Sequence, residues 1–201
     1  MSDIDEVKND PETSKPSASR SVAGWILGGI VVVWAIVMMV FANRGPNEPP
    51  DLSKPAVSST AVDYDWSLTD LDGRTVPFSE FKGKTVFLNF WATWCGPCVA
   101  EMPSIDTLAS ETSLKDVVFL GVSVDEDLDA IKRFVATQSP KFRVLRPKGD
   151  VPDQLMTEGI PATFIISPGG EIVTAHVGSA SWDAPEVVAL LERLSGHSAV
   201  E

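Results

Sequence analysis

The sequence FWATWCGPC, residues 90–98, contains the only two cysteines of the 201-residue chain. It follows an apolar, β-rich run at residues 85–90 that is typical of a buried strand, and it precedes a helical pattern at residues 99–110. Cys95 is therefore expected at a helix N-terminus, with Cys98 one turn further in. The helix dipole favours thiolate there, and a thiol pKa of about 8.5 can fall to about 3.5–7.5. The pattern predicts Cys95 as an exposed nucleophile and Cys98 as the thiol that resolves the mixed disulfide.

Other uses of a Cys-x-x-Cys pair fit the sequence less well. A zinc site needs four ligands, and the chain adds only His176 and His197, which are far apart in the sequence. A permanent structural disulfide across so short a loop would remove little chain entropy. A c-type haem site needs histidine directly after the second cysteine, where this chain has Val99. Redox exchange is the favoured interpretation.

The charge of the chain bears on its partners. Its formal net charge is −12 at pH 7, and no basic run with interleaved aromatic residues occurs. This composition argues against a nucleic-acid partner and against peripheral attachment to an anionic lipid surface. We interpret the acidic residues as a solvated surface.

The N-terminal part of the sequence predicts a membrane anchor. Residues 1–21 are polar and are expected to form a disordered tail. Residues 22–42 contain no charge, and as a helix they can cross a hydrocarbon core of about 30 Å. A cleaved signal peptide would have a shorter apolar region ending in small residues, and residues 42–44 make a poor cleavage site. We therefore predict an uncleaved helix in the lipid bilayer at residues 22–42 and a proline-rich linker at residues 43–60.

Basic residues on the two sides of this segment predict its orientation. Lys8, Lys15 and Arg20 precede it, whereas only Arg44 follows closely. This bias predicts a single-pass protein of the cell membrane with a cytoplasmic N-terminus and an extracytoplasmic (periplasmic) domain. Disulfides persist on that side of the membrane.

The folded domain is predicted over residues 61–195, followed by a C-terminal tail at residues 196–201. Turn signals at residues 72–73 and 168–170 indicate two hairpins. Between and after the hairpins, strands and helices alternate. Strands are predicted at residues 85–90, 117–124 and 142–145. Helices are predicted from Cys95 onward and at residues 128–137, 151–156 and 185–194, with Asp127 capping the second of these four helices and Asp183 capping the last. This order predicts an α/β fold with a mixed central sheet, helices on both faces and an N-terminal hairpin.

The motif WCGPC, residues 94–98, and its Trp-Ala-Thr lead-in resemble the active site of thioredoxin. The resemblance implies a thioredoxin-like fold whose redox group is the Cys95–Cys98 disulfide, without a further cofactor or metal. It implies a cis-proline facing that disulfide and, before the proline, a backbone edge that pairs with a substrate peptide. The substrate-binding positions implied in this way are Trp94, Gly96, Pro97, Ile160 and Pro161.

Glu101 lies three residues after Cys98 and so on the same helix face. From the residues alone it is either a solvated side chain or a carboxylate that accepts the proton of Cys98. Thioredoxin carries a buried aspartate where this chain has Asn89, which cannot hold a proton. The longer motif Trp-Cys-x-Pro-Cys-x-x-Glu-Met-Pro resembles the membrane-anchored TlpA, ResA and CcmG group, as do Asn89 and extra chain at residues 128–145. This second resemblance favours Glu101 as a catalytic proton acceptor.

The resemblance implies a membrane-anchored, extracytoplasmic thiol–disulfide oxidoreductase that reduces protein disulfides. It implies apocytochrome c as substrate and a membrane thiol donor that restores the dithiol. Gly96-Pro97 is the thioredoxin dipeptide, and this dipeptide tunes the reduction potential. The alternatives are a copper metallochaperone that loads an oxidase through the two thiols, or a general reductase of other exported proteins. A peroxidase is poorly matched, because residues 92–95 lack its Pro-x-x-x-Thr-x-x-Cys loop.

Overall fold

The computed structural model describes residues 48–52 and 61–196. The predicted tail at 1–21, the predicted anchor at 22–42, most of the predicted linker and the C-terminal residues 197–201 lie outside the described residues. Within the described ranges, no helix has both the length and the apolarity needed to cross a bilayer.

A mixed sheet organises the described domain, as the alternation of strands and helices predicted. Its strands are β1 Ser67–Thr69, β2 Thr75–Pro77, β3 Thr85–Trp91, β4 Val117–Ser123, β5 Arg143–Lys148, β6 Ala162–Ile166 and β7 Ile172–Val177. They lie in the order β2-β1-β5-β4-β3-β6-β7. Strands β3, β4 and β5 run parallel, whereas β6 pairs antiparallel with β3, and β7 with β6. The N-terminal hairpin β1–β2 extends the other edge, because β1 pairs antiparallel with β5.

The described residues form three α-helices: α1 Gly96–Ala109, α2 Leu128–Gln138 and α3 Pro185–Leu194. Buried residues of all three, such as Ile105, Ile131 and Leu191, belong to one core that also contains Trp91. The chain moves from β3 through α1 to β4 and through α2 to β5, in one direction along the sheet. Two right-handed crossovers in the same direction place both helices on the same face.

The opposite face of the sheet carries a second core, covered by short 3-10 turns at Phe78–Phe81 and Asp153–Leu155 and by extended chain. The prediction of helices on both faces is therefore corrected: on this face they are single turns. The longer helix predicted at residues 151–156 is one of these turns.

The caps of the helices differ in how well the sequence predicted them. The Asp127 carboxylate accepts a hydrogen bond from the Asp129 N–H, so the predicted cap of α2 is confirmed. Asp183 does not cap α3: the N-cap residue is Ala184, whose side chain makes no capping bond. Pro185 follows directly, and a residue before proline is held in the extended backbone that an N-cap needs. The helix boundary therefore comes from the proline.

Residues 48–52, which the sequence assigns to the linker, lie against the domain. The Ser181 N–H donates a hydrogen bond to the carbonyl oxygen of Glu48 at 3.1 Å. Pro50 is buried, and Leu52 packs against the core below the helices. This part of the predicted linker is docked on the domain beside the loop that leads into α3.

Gly121 in β4 leaves room for an aromatic side chain, which leads to a stability prediction. A Cβ atom at this position would overlap the Phe142 ring and lie 3.1 Å from Trp91 Nε1. We expect Gly121→Ala to lower the free energy of unfolding by about 1–3 kcal/mol, because the packed ring must move. Urea denaturation measures the change, with Gly169→Ala as control because its nearest neighbouring atom lies 3.6 Å away. Equal stability of the two variants would contradict the prediction.

Candidate active site

The two cysteines lie where β3 passes into α1, as the sequence predicted, and their sulfur atoms are bonded at 2.05 Å. Cys95 is the N-cap residue of α1, and its sulfur accepts a hydrogen bond from the Cys98 N–H at 3.2 Å. Pro97 fits the first turn of the helix, where an N–H has no partner within the helix. The same N–H and the helix dipole would stabilise a Cys95 thiolate.

The exposure of the cysteines differs from the prediction of an exposed nucleophile. Cys95 is 6% exposed and Cys98 is fully buried. The residues around Cys95 are open to solvent: Trp94 is 70% exposed, and Gly96 and Pro97 are exposed as well. Cys95 is thus the sulfur nearer to the surface, although its side chain is largely buried.

That opposite loop contains the Ile160–Pro161 peptide bond, which is cis as the resemblance implied. The Cys95 sulfur lies 3.8 Å from the carbonyl oxygen of Ile160. Pro161 leads directly into β6, which pairs with β3 next to the cysteine motif. The sheet therefore fixes Ile160 and Pro161 in front of the disulfide.

An apolar groove of about 260 Å³ runs beside the disulfide. Trp94 and Val124 line it from the ends of the central strands, and Met156 and Ile160 line it from the loop before β6. Trp94, Val124 and Met156 are among the exposed large apolar residues of the described chain. An exposed apolar patch of this kind marks a binding surface.

Glu101 is fully buried in α1, one turn after Cys98, and this burial excludes the solvated interpretation. Its Oε1 accepts a hydrogen bond from the Asn89 amide at 2.9 Å. Its Oε2 accepts from the Ala180 N–H at 3.1 Å and from the indole N–H of Trp182 at 3.0 Å. Burial raises the pKa of Glu101 to about 7, and the three hydrogen bonds only partly oppose this. A carboxyl group with this pKa can accept and release a proton near neutral pH.

Asn89 links Glu101 to the sheet. Its amide nitrogen also donates to the Thr163 hydroxyl at 2.9 Å, on the neighbouring strand β6. The side chain thus holds the Glu101 carboxyl group but cannot itself accept a proton from Cys98, as its residue type predicted.

Trp182 has a role that the sequence analysis did not assign. It is fully buried, as a packing residue would be, and its indole N–H is also a hydrogen-bond donor to Glu101. The two residues are 81 positions apart, and no local pattern connects them. The only available signal was that a buried indole N–H needs an acceptor.

The described residues offer little for a metal. In these ranges no group of three or more His, Cys, Asp or Glu side chains lies close enough to hold an ion. The ring of His176 lies against Trp182, with 5.6 Å between centroids. A copper-binding function would rest on the two cysteine thiols.

A Cys-x-x-Cys disulfide at a helix N-terminus, facing a cis-proline on a mixed sheet, defines a thioredoxin-like protein. The Redoxin family model matches residues 50–191, and the chain belongs to this family. The implied resemblance to the TlpA, ResA and CcmG group is confirmed by relatives in that group. The thiol-disulfide oxidoreductase ResA of Oceanobacillus iheyensis is 32% identical over 166 residues, which cover 78% of this chain and 81% of the relative.

Other relatives match a shorter part. ResA of Bacillus thuringiensis is 38% identical over 109 residues, which cover 53% of this chain and 62% of the relative, less than two thirds of its length. Among solved structures, dsbF of MTB is 27% identical with a TM-score of 0.56, over 65% of this chain and 98% of that one. A thiol:disulfide interchange protein from Chlorobium tepidum TLS has a TM-score of 0.57 at 24% identity, over 68% of this chain and 99% of that one, and supports the fold alone.

Proposed function

We propose that the protein is a thiol–disulfide oxidoreductase that reduces disulfides in other proteins outside the cytoplasm. The observation that carries the proposal is the Cys95–Cys98 disulfide, held at a helix N-terminus opposite the Ile160–Pro161 loop, with the buried carboxyl group of Glu101 one turn further along the same helix. Each part supplies one requirement of disulfide exchange: a stabilised thiolate, a place for the substrate chain and a proton acceptor.

The reaction begins with the dithiol form. The Cys95 thiolate attacks one sulfur of the substrate disulfide, and the other substrate sulfur leaves as a thiolate that takes up a proton. Cys98 then transfers its proton to Glu101 and attacks the Cys95 sulfur. The second substrate sulfur leaves and is protonated, so the substrate gains two electrons and two protons. The protein is left as the Cys95–Cys98 disulfide, and a membrane thiol donor returns it to the dithiol.

The substrate docks over Cys95. Trp94, Gly96 and Pro97 are exposed on one side of the sulfur, and the Ile160 backbone lies on the other. An extended substrate segment can pair with the backbone before Pro161 while its apolar side chains enter the groove between Trp94 and Met156.

The location and the client are part of the same proposal. An uncharged segment at residues 22–42 with more basic residues before it than after it supports a membrane anchor and an extracytoplasmic domain. The resemblance to the membrane-anchored group supports apocytochrome c, in which two haem-site cysteines must be reduced.

The reduction potential of the Cys95–Cys98 couple tests the direction of electron flow. Equilibration with glutathione is expected to give a potential below the glutathione poise of about −220 to −260 mV. The reduced protein is then expected to reduce a disulfide-bonded peptide with a Cys-x-x-Cys-His sequence, and Cys95→Ser is expected to abolish this. A potential near about −120 mV, the value of the strong oxidant DsbA, would reverse the assignment to an oxidase of protein thiols.

A further inference from the structure

Asp125 lies two residues after the end of β4 and is 4% exposed, but the mechanism above does not use it. Its carboxylate accepts hydrogen bonds from the Thr93 N–H at 2.9 Å, from the Thr93 hydroxyl at 2.5 Å and from the Ser123 hydroxyl at 2.7 Å. Burial of a carboxylate is costly unless donors surround it in this way. Two of the three donors belong to the residue just before Trp94 and Cys95.

The strand register explains why these residues meet. Trp91 and Ser123 are paired partners at the ends of the parallel strands β3 and β4. Thr93 and Asp125 each follow two residues later, so they leave the sheet side by side. The Val124 N–H also donates to the Trp91 carbonyl oxygen at 2.9 Å, which continues the connection between the two segments.

The two segments joined by Asp125 form one wall of the apolar groove. Trp94 follows Thr93 and Val124 precedes Asp125, and both line the groove with exposed side chains. Arg146 supports the wall from behind, because its guanidinium donates to the backbone oxygen atoms of Asp125 and Glu126 at 3.0 and 3.2 Å.

We propose that Asp125 is a positioning residue that, through Thr93, fixes the Trp94 and Val124 wall against which a protein substrate docks. The proposal rests on the exchange function proposed above. Asp125 does not touch the sulfur atoms, so its effect is on the alignment of a large substrate over Cys95. Misplacement of a docking surface by about 1 Å can cost up to about a hundredfold in rate.

The consequence is a difference between large and small substrates. A disulfide-bonded protein must lie along the groove, whereas a small disulfide can reach Cys95 without filling it. Loosening the wall is therefore expected to slow reduction of a protein and to leave reduction of a small disulfide nearly unchanged. A general loss of folded protein would slow both equally.

The experiment compares two probes, insulin and hydroxyethyl disulfide, with the full-length reduced protein in detergent micelles. Thr93→Val removes one donor to Asp125 and retains the branched shape, and Asp125→Asn places an amide N–H₂ where one oxygen accepted. The dithiol itself is the two-electron reductant, so each protein molecule reacts once. We expect each variant to lower the second-order rate constant for insulin by about tenfold, mainly by raising the insulin concentration at half-maximal rate, and to change the rate constant for hydroxyethyl disulfide by less than about twofold. Thr93→Ser keeps the hydroxyl group and is expected to restore the insulin rate.

Thr85→Val is the matched control. Thr85 lies at the other end of β3, and its buried hydroxyl has no hydrogen-bond partner within the described residues. The same change of side chain is therefore expected to leave both rates unaltered. If Asp125→Asn does not fold, Thr93→Val decides the result alone.

Two results would overturn the proposal: insulin and hydroxyethyl disulfide rates that fall in parallel in the Thr93 and Asp125 variants, or a Thr93→Val protein that reduces insulin as the wild type does. Failure of the wild-type protein to reduce either disulfide would instead contradict the proposed function. The two failures are thus distinguishable.

Discussion

Replacement of Cys98 by serine is expected to stop turnover and to hold Cys95 in a mixed disulfide with its protein substrate. A serine hydroxyl does not displace a sulfur from a disulfide, so the second step of exchange has no nucleophile. External thiols cannot easily replace it, because Cys98 attacks from a fully buried position behind Cys95. We expect turnover to fall about a thousandfold or more, as when a catalytic nucleophile is removed.

The trapped species can be measured directly. Non-reducing electrophoresis of cells that produce the Cys98→Ser protein should show a band heavier than the 21.6 kDa chain, which disappears on reduction. Mass spectrometry of that band identifies the client and so tests the apocytochrome c proposal as well. Cys95→Ser is the control, since it leaves only the buried thiol. Trapping by this control and not by Cys98→Ser would assign the nucleophile to Cys98.

The sequence predicted the central elements of the fold well, because their signals are local. The β-branched run of β4 and the apolar run of β3 appear in the structure within one residue of the predicted ends. The cis form of the peptide bond before Pro161 has no such local signal, since only about 6% of peptide bonds before proline are cis. That prediction came from the resemblance carried by the cysteine motif.

The chemistry of the site depends on contacts that no local pattern contains. Glu101 had two interpretations, and its burial with donors at Ala180 and Trp182, about eighty residues away, excludes only the solvated one. Its role as proton acceptor stays a prediction. The sequence analysis did not single out Asp125, because its contact with Thr93 follows only once β3 and β4 are placed in register. The sequence analysis did not predict that residues 48–52 dock on the domain. A segment rich in proline and polar residues is predicted to be an extended linker whether or not it packs against a folded surface.

Glu101→Gln is the second replacement with a large expected effect. In the proposed mechanism ionised Glu101 accepts the proton of Cys98, so the rate at which the mixed disulfide is resolved should rise with pH through the Glu101 pKa of about 7. Glutamine cannot accept this proton. We expect resolution to slow about a hundredfold near neutral pH and the inflection near pH 7 to disappear. Stopped-flow measurement of product release against pH tests this, with exposed Glu111→Gln as control.

The pH dependence of protein stability shows whether Glu101 titrates near neutral pH or contributes only by packing, and the same replacement tests this. The Glu101 pKa rises from an ordinary value of 4.5 to about 7 in the folded protein. Between these two pH values the folded state holds a proton that the unfolded state has lost. The contribution of Glu101 protonation to the free energy of unfolding is therefore fully present below about pH 4.5 and is lost as the pH rises through about 7. At about 1.4 kcal/mol per pKa unit the loss is about 3 kcal/mol.

Glu101→Gln removes the titrating group and should remove this fall, so the variant loses less stability than the wild type between pH 4.5 and 8. Urea denaturation across this range measures the difference. If the two proteins showed parallel pH profiles, the carboxyl group would not titrate in this window. Glu101 would then act by its packing and hydrogen bonds alone, and Cys98 would have to deliver its proton to water or to the substrate.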